Sequence, residues 1–333
     1  MATRPGAGHH RQMTVTTPSS ASVPAARRPL SLVDLGSLLF LGAVWGAAFL
    51  FLRIAAPEIG PVWAAEIRLA IGASVLLVVF GRSTWQAARG RLPSVLVVGA
   101  LFSAVPFTLI AYATLTLPAG FTSLLNAATP LFTAAIAIAF MGTRISWRVA
   151  AGLAVGVVAV IVLVGWSPLE PGATTLLAVA AGLGAPASYA VAGNFVRARL
   201  SDMAPTQLAT GMLTAGAIVA LPVAVLSGPP GALSLDGAVS VVAVGTLSTA
   251  LAWPIFFRVL RRTTPTAAST VTFVVPAFAL TWGSIVLDEP IGVGLVVGFG
   301  LILLSLVLVL GIVPARRPLF LVRAQAWMTG LVG

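Results

Sequence analysis

The chain has 333 residues, of which 59% are hydrophobic and 8% charged, with a formal charge of +11 and a mean hydropathy of +1.05. A soluble domain carries about 25% charged residues, so a water-soluble globule is excluded and most of the chain belongs in lipid. There is no cysteine, and His9 and His10 precede the first apolar run, which excludes thiol chemistry and a histidine site inside the membrane.

Residues 1–29 are rich in Ala, Arg, Ser, Thr and Pro, show no apolar period, and read as a disordered cytoplasmic tail. The first apolar run starts near Leu32 and is too long and too late for a cleaved signal, so it is expected to be retained. Ten runs long enough to span follow, at about 32–52, 62–80, 94–116, 119–140, 147–166, 174–196, 205–226, 239–260, 265–286 and 291–313. Backbone polar groups in hydrocarbon must be paired internally, so these runs are helices. The last residues, 314–333, read as a cytoplasmic tail.

All 19 basic residues are arginine. In a ten-helix arrangement, 17 of them fall before helix 1 or at the ends of helices 2, 4, 6, 8 and 10, on one side. The opposite loops carry Glu58, Glu170, Asp236, Asp288 and Glu289. Arginine marks the cytoplasmic side, so both termini are expected inside and no nucleic-acid partner is expected despite the positive charge.

The second half repeats the first. Shifting residues 94–165 by 146 matches Ser94 with Ser240, Gly99 with Gly245, Pro130 with Pro276 and Gly152 with Gly298. Upstream the shift is 144, matching Arg53 with Arg197, Pro61 with Pro205 and Gly72 with Gly216. Units of 30–166 and 167–313 with five helices each must cross the membrane in opposite senses. Inverted repeats are a common transporter construction, with the substrate near the midplane between them.

The stretches "LFLGAVWGAAFLFLRIA", "AEIRLAIGASVLL", "AGFTSLLNAATPLFTAAIAIAFMGTRIS" and "TPTAASTVTFVVPAFALTWGSIVLDEPIGVGLVVGFG" resemble an EamA-like transporter of the drug/metabolite transporter superfamily. The resemblance covers roughly residues 32–313. It implies an all-α, ten-helix carrier of the cytoplasmic membrane with no cofactor, usually exporting amino acids, related metabolites or drugs. The family often has an acid after helix 4, where this chain has Thr143; the matching acid in the second half is Glu289. The second-half match to Arg68 is Met212, so that arginine is not duplicated.

Candidate path-lining residues fall in three groups. Helix 4 carries Thr122, Asn126, Thr129, Pro130 and Thr133 at helical spacing, and helix 9 carries Thr266, Ser269, Thr272 and Pro276. Such stripes face protein or a water-filled cavity rather than lipid, although polar contacts between helices are the simpler reading. The aromatics Trp45, Phe107, Tyr112, Tyr189, Trp253 and Phe257 are candidates for the walls of a pocket, with packing or interfacial anchoring as the alternative.

Third come Glu66 and Arg68, both near the outer end of helix 2. Residues two apart lie about 200° around a helix, so the two face different neighbours. Arg68 is expected to anchor structure by snorkelling, to hold a substrate carboxylate, to pair with an acid elsewhere or to cap free carbonyls. Glu66, expected nearest the outer mouth and in reach of water, is the candidate for proton coupling, the alternative being a carrier that simply equilibrates its substrate.

The partners expected are a small-molecule substrate and the lipid bilayer, with the chain a monomer or homodimer. Gly152/Gly156 and Gly294/Gly298 suit close packing within the monomer. An enzyme is not expected, for want of HExxH or a buried acid pair, nor an ATP-driven pump, for want of GxxxxGK[ST]. A non-transporting scaffold or receptor is the remaining alternative.

Overall fold

The computed structural model describes residues 31–141, 146–166, 170, 172–262 and 270–310. The tails, together with Thr143, Arg144, Thr266 and Ser269, lie outside them. The described residues are helical and contain no strand. They group into ten rods: α1 Leu32–Ile59, α2 Pro61–Ala88, α3 Leu92–Ala113, α4 Ala119–Met141, α5 Trp147–Gly165, α6 Ala173–Arg199, α7 Pro205–Leu226, α8 Leu235–Arg262, α9 Val271–Leu287 and α10 Val293–Leu310. Nine regions among the described residues are long and apolar enough to cross a membrane; α9, at 17 residues, is shorter.

Local chemistry sets the boundaries. Ser31 caps α1 reciprocally: the Asp34 amide donates to Ser31 Oγ at 3.1 Å, and the Ser31 amide donates to Asp34 Oδ2 at 3.2 Å. Gly60, at φ +85°, turns α1 directly into α2, and Pro61 opens α2 where a missing N–H costs nothing. Asp288, at φ +52°, ends α9 in the left-handed region, which a short polar side chain tolerates.

Two rods are interrupted in matching ways, and a third is broken. α3 contains a π-turn at Ala100–Ala104 and α8 contains one at Thr246–Leu251, the same place in the 146-residue register. α4 is broken instead: helix Ala119–Asn126 ends at a turn through Ala127 and Ala128, and Thr129–Met141 starts anew with Pro130 in its first turn. The single continuous helix expected over 119–140 is therefore two segments.

Packing follows the sequence repeat. α2 lies on α7 and α5 on α10; α1 packs against α8 and α9 just as α6 packs against α3 and α4. Exchanging the halves maps this set of contacts onto itself. Small residues carry the tight crossings. A Cβ built on Gly46 would stand 2.8 Å from the Ala279 nitrogen and 2.9 Å from the Val275 carbonyl oxygen, so α1 meets α9 backbone to backbone. Gly152 and Gly156 face α10, where Ser305 Oγ donates to the Gly152 carbonyl at 2.6 Å. Gly294 and Gly298 face Trp166 and Leu163 in return. These glycines serve packing inside the monomer, as expected.

Candidate functional site

The π-turns build the centre of the bundle. A π-turn puts main-chain carbonyls out of α-helical register, and these must find donors. In α8 the Ser248 carbonyl accepts from Trp45 Nε1 of α1 at 3.1 Å; in α3 the Leu101 carbonyl accepts from Ser188 Oγ of α6 at 2.7 Å. Each half thereby ties its π-turn to the other half's first helix and fixes an aromatic ring beside the tie.

The rings form one cluster. Tyr189 meets Phe102 at 5.4 Å between centroids, Phe102 meets Trp253 at 5.8 Å, Trp253 meets Trp45 at 5.5 Å, and Phe256 meets Trp45 at 5.3 Å and Trp253 at 6.0 Å. The tilted and edge-on geometries are those that aromatic quadrupoles prefer. Trp45 and Tyr189 are register counterparts, and so are Phe107 and Trp253. Four of the aromatics singled out from sequence are thus two symmetry pairs in one place.

Arg68 enters this cluster and breaks its symmetry. Its side chain is 5% exposed. Nε donates to Thr249 Oγ1 at 2.9 Å, and the guanidinium carbon sits 3.7 Å from the Phe107 ring centroid. The two Nη atoms have no hydrogen-bond partner among the described residues. Arg68 therefore runs into the protein and does not snorkel to the outer interface. The counterparts of Arg68 and Thr249 are Met212 and Ser103, and the Ser103 hydroxyl, buried and facing no arginine, has no partner.

Glu66 is also 5% exposed, and its Oε2 has no hydrogen-bond partner. The expectation that it meets water at the outer mouth is corrected: the residue is buried, with Oε2 shut off from solvent. It makes no ion pair with Arg68, as the helical geometry requires.

The family model for EamA-like transporters matches this chain twice, over residues 35–165 and 176–311. The chain belongs to the EamA-like transporter family. This EamA-like protein is therefore a member of the drug/metabolite transporter superfamily and a multi-pass membrane protein. It is 24% identical over 272 residues to an uncharacterized transporter of Archaeoglobus fulgidus, covering 80% of this chain and 94% of the relative. It is 22% identical over 259 residues to the uncharacterized transporter YoaV of Bacillus subtilis, covering 77% and 89%. A shorter match, 29% over 122 residues, covers 36% of this chain and 41% of a probable terminal-alkyne amino-acid exporter of Streptantibioticus cattleyicolor. A crystal structure superposes with a TM-score of 0.59 at 16% identity, over 83% of this chain and 96% of the other, which is a likeness of fold.

The polar stripes of the EamA-like chain stand differently from the ring cluster. Thr122 donates to the Pro118 carbonyl, Thr129 to Asn126 and Thr133 to Thr129, so these hydroxyls bond back along their own helix. Asn126 Oδ1, at the break in α4, is buried without a partner. On α9, Thr272 is half-buried and Pro276 buried where α9 passes α1. No hydrogen bond or ring contact among the described residues joins Asn126, Thr129 or Pro130 to the aromatic cluster. Tyr112 lies at the end of α3, 37% exposed and away from the cluster. The side chain of Phe257 falls outside the description.

A second constellation, which the sequence reading did not assemble, lies at the opposite end of α1 from its N-terminus. Arg53 Nη1 donates to the Thr114 and Leu115 carbonyls at 2.6 and 2.8 Å, and its Nε lies 3.6 Å from Glu289 Oε1. Both Glu289 carboxylate oxygens accept from the Ala119 amide, at 3.1 and 3.0 Å, at the positive end of the α4 dipole. Burial pushes the Glu289 carboxyl above the usual carboxylate range, against the pull of the Ala119 amide and Arg53. The register counterpart of Arg53 is Arg197, which bonds Asn194 one turn back on its own helix. The signal available in the sequence was the acid kept at 289 and replaced by Thr143 in the first half.

Proposed function

We propose that this protein is a secondary carrier of the cytoplasmic membrane, with ten spans, both termini inside and two inverted five-helix repeats, that moves a small carboxylate-bearing metabolite by alternating access. The observation that carries the reading is Arg68: a buried guanidinium, walled by Phe107, with two Nη donors left open and no acid beside it. A lone buried cation is expensive unless something else neutralises it. A substrate carboxylate at the Nη pair supplies that charge in bidentate geometry, and the rings supply the apolar walls that small-molecule sites use. The name of the Streptantibioticus relative, a probable amino-acid exporter, fits a carboxylate substrate and the outward direction.

Alternating access needs one end closed while the other opens. The Arg53–Glu289–Ala119 network joins α1, the start of α4 and the α9–α10 connection at the outer end. Among the described residues Arg197, its inner counterpart, bonds Asn194 on its own helix. This network supports a resting form closed outside. Glu66, buried with an unpartnered oxygen, is the group assigned to proton coupling.

The test is the metabolite content of spent medium from cells producing the native protein, cells producing Arg68→Gln at matched membrane levels, and empty cells. A carboxylated compound accumulating only with the native protein is the expected result. Identical media from all three would overturn the carrier reading; identical media from the two protein-bearing strains, differing from empty cells, would leave export standing and remove Arg68 from the site.

A further inference from the structure

The two symmetry-related seams of the bundle are not lined alike. Between α6 and α3, Gly184 lets Leu109 approach to 3.1 Å of where a Cβ would stand. The register counterparts between α1 and α8 are Phe40 and Ile255. Phe40 and Ile255 line a cavity of about 410 Å³ here. Its wall is apolar along Val33, Phe40 and Ile255, with Val33 69% and Phe40 41% exposed toward the lipid side. Its polar end carries Arg258 and Arg262, one helical turn apart on the same face. Both arginines are exposed, and neither makes a hydrogen bond or ion pair among the described residues. The lining carboxylate, Asp34, accepts from the Ser31 amide and hydroxyl and also feels the charge of Arg262, offsetting one of the two cations. The cleft therefore keeps a net positive charge at the arginine-rich end of the chain.

We propose that the α1–α8 cleft binds an anionic phospholipid, its phosphate between Arg258 and Arg262 and its acyl chain along Phe40 and Ile255. Guanidinium groups suit phosphate oxygens through short charge-assisted bonds, and basic pockets between membrane helices on this side are a general solution for anionic headgroups. The apolar wall distinguishes a lipid from a free anion. Gly36 lines the same cleft, and a Cβ there would meet nothing within 4 Å. It can be enlarged without disturbing the helix contact.

The experiment uses the purified full chain in detergent and counts retained phosphatidylglycerol and phosphatidylcholine by native mass spectrometry. A parallel melting series adds phosphatidylglycerol or inorganic phosphate. The native protein is expected to retain phosphatidylglycerol over phosphatidylcholine, and Arg258→Gln/Arg262→Gln to bind it about tenfold more weakly. Gly36→Leu, which fills the cleft and leaves every charge in place, is expected to lose it equally. Equal retention of both lipids by the native protein overturns the site. Undiminished phosphatidylglycerol in Gly36→Leu overturns it in favour of a diffuse surface charge. A melting shift reproduced in full by inorganic phosphate overturns the lipid as occupant.

Discussion

Arg68 has one of its three nitrogens committed, to Thr249, and two open. Losing a charge-assisted pair removes about 1.5–3 kcal/mol, so Arg68→Gln is expected to weaken substrate binding about 10- to 100-fold in proteoliposome flux. The melting temperature should hold, because Thr249 Oγ1 keeps its own bond to the Val244 carbonyl at 2.8 Å. Arg68→Lys should recover only part of the flux, since an ammonium has no planar fork to offer a carboxylate. Glu66 belongs to a different test. If it carries the proton, Glu66→Gln should abolish the response of transport to an imposed pH gradient and spare substrate exchange at equal pH on both sides. An unchanged gradient response in that variant would remove it from coupling.

At the level of the helices, the crossings rest on glycine. Gly46 touches the α9 backbone, where nothing can rotate aside, so Gly46→Ala should push α1 from α9 and destabilise the fold by about 1–3 kcal/mol, read as a lowered melting temperature. Gly36→Leu on the same helix meets open space and should leave the melting temperature unchanged in lipid-free detergent. The positions of the helices and of the Gly152/Gly156 and Gly294/Gly298 pairs were legible in the chain, because hydropathy and small-residue spacing are written directly in residue type. The π-turns were not: a π-turn differs from α-helix by one step of hydrogen-bond register, and "ALFSA" and "TLSTAL" carry no composition that marks it. The aromatic residues were legible as candidates and illegible as a cluster, because the rings come together from four different helices, with Phe102 inside one π-turn and Trp253 just past the other. The polar stripe of α4 is ambiguous for another reason. Hydroxyls at helical spacing promise a wet face, yet each can satisfy itself on the carbonyl a turn back.

For the molecule as a whole, the question is which end is shut. The chain has no cysteine, so a single Leu109→Cys reports outer access to an impermeant maleimide without background. Glu289→Ala or Arg53→Ala should raise its labelling rate about tenfold if the network holds the outer end closed by a bond of about 1.4 kcal/mol; an unchanged rate would assign the network to stability alone. The pH dependence follows from burial. Glu289 faces Arg53 from α1 and the amides at the start of α4, and its carboxyl lies above its ordinary value of 4.5 while this network is formed. An open end returns it to water and to that ordinary value. The shut form thus binds the proton more tightly, is favoured at low pH, and gives up that advantage as pH rises from 4.5 through the raised value. Labelling of Leu109→Cys should accelerate over that interval, and Glu289→Gln should be flat across it.

The matched π-turns carry a historical ordering. A π-turn arises when one residue is inserted into a helix, and the two halves hold theirs at the same register, after Gly99 and after Gly245. Two independent insertions at one address are far less economical than a single insertion in a five-helix ancestor that was later copied. Arg68 and Glu289 each stand in one half only, opposite Met212 and Thr143. The architecture of the centre thus predates the doubling of the gene, and the charges that distinguish the two halves were sorted afterwards.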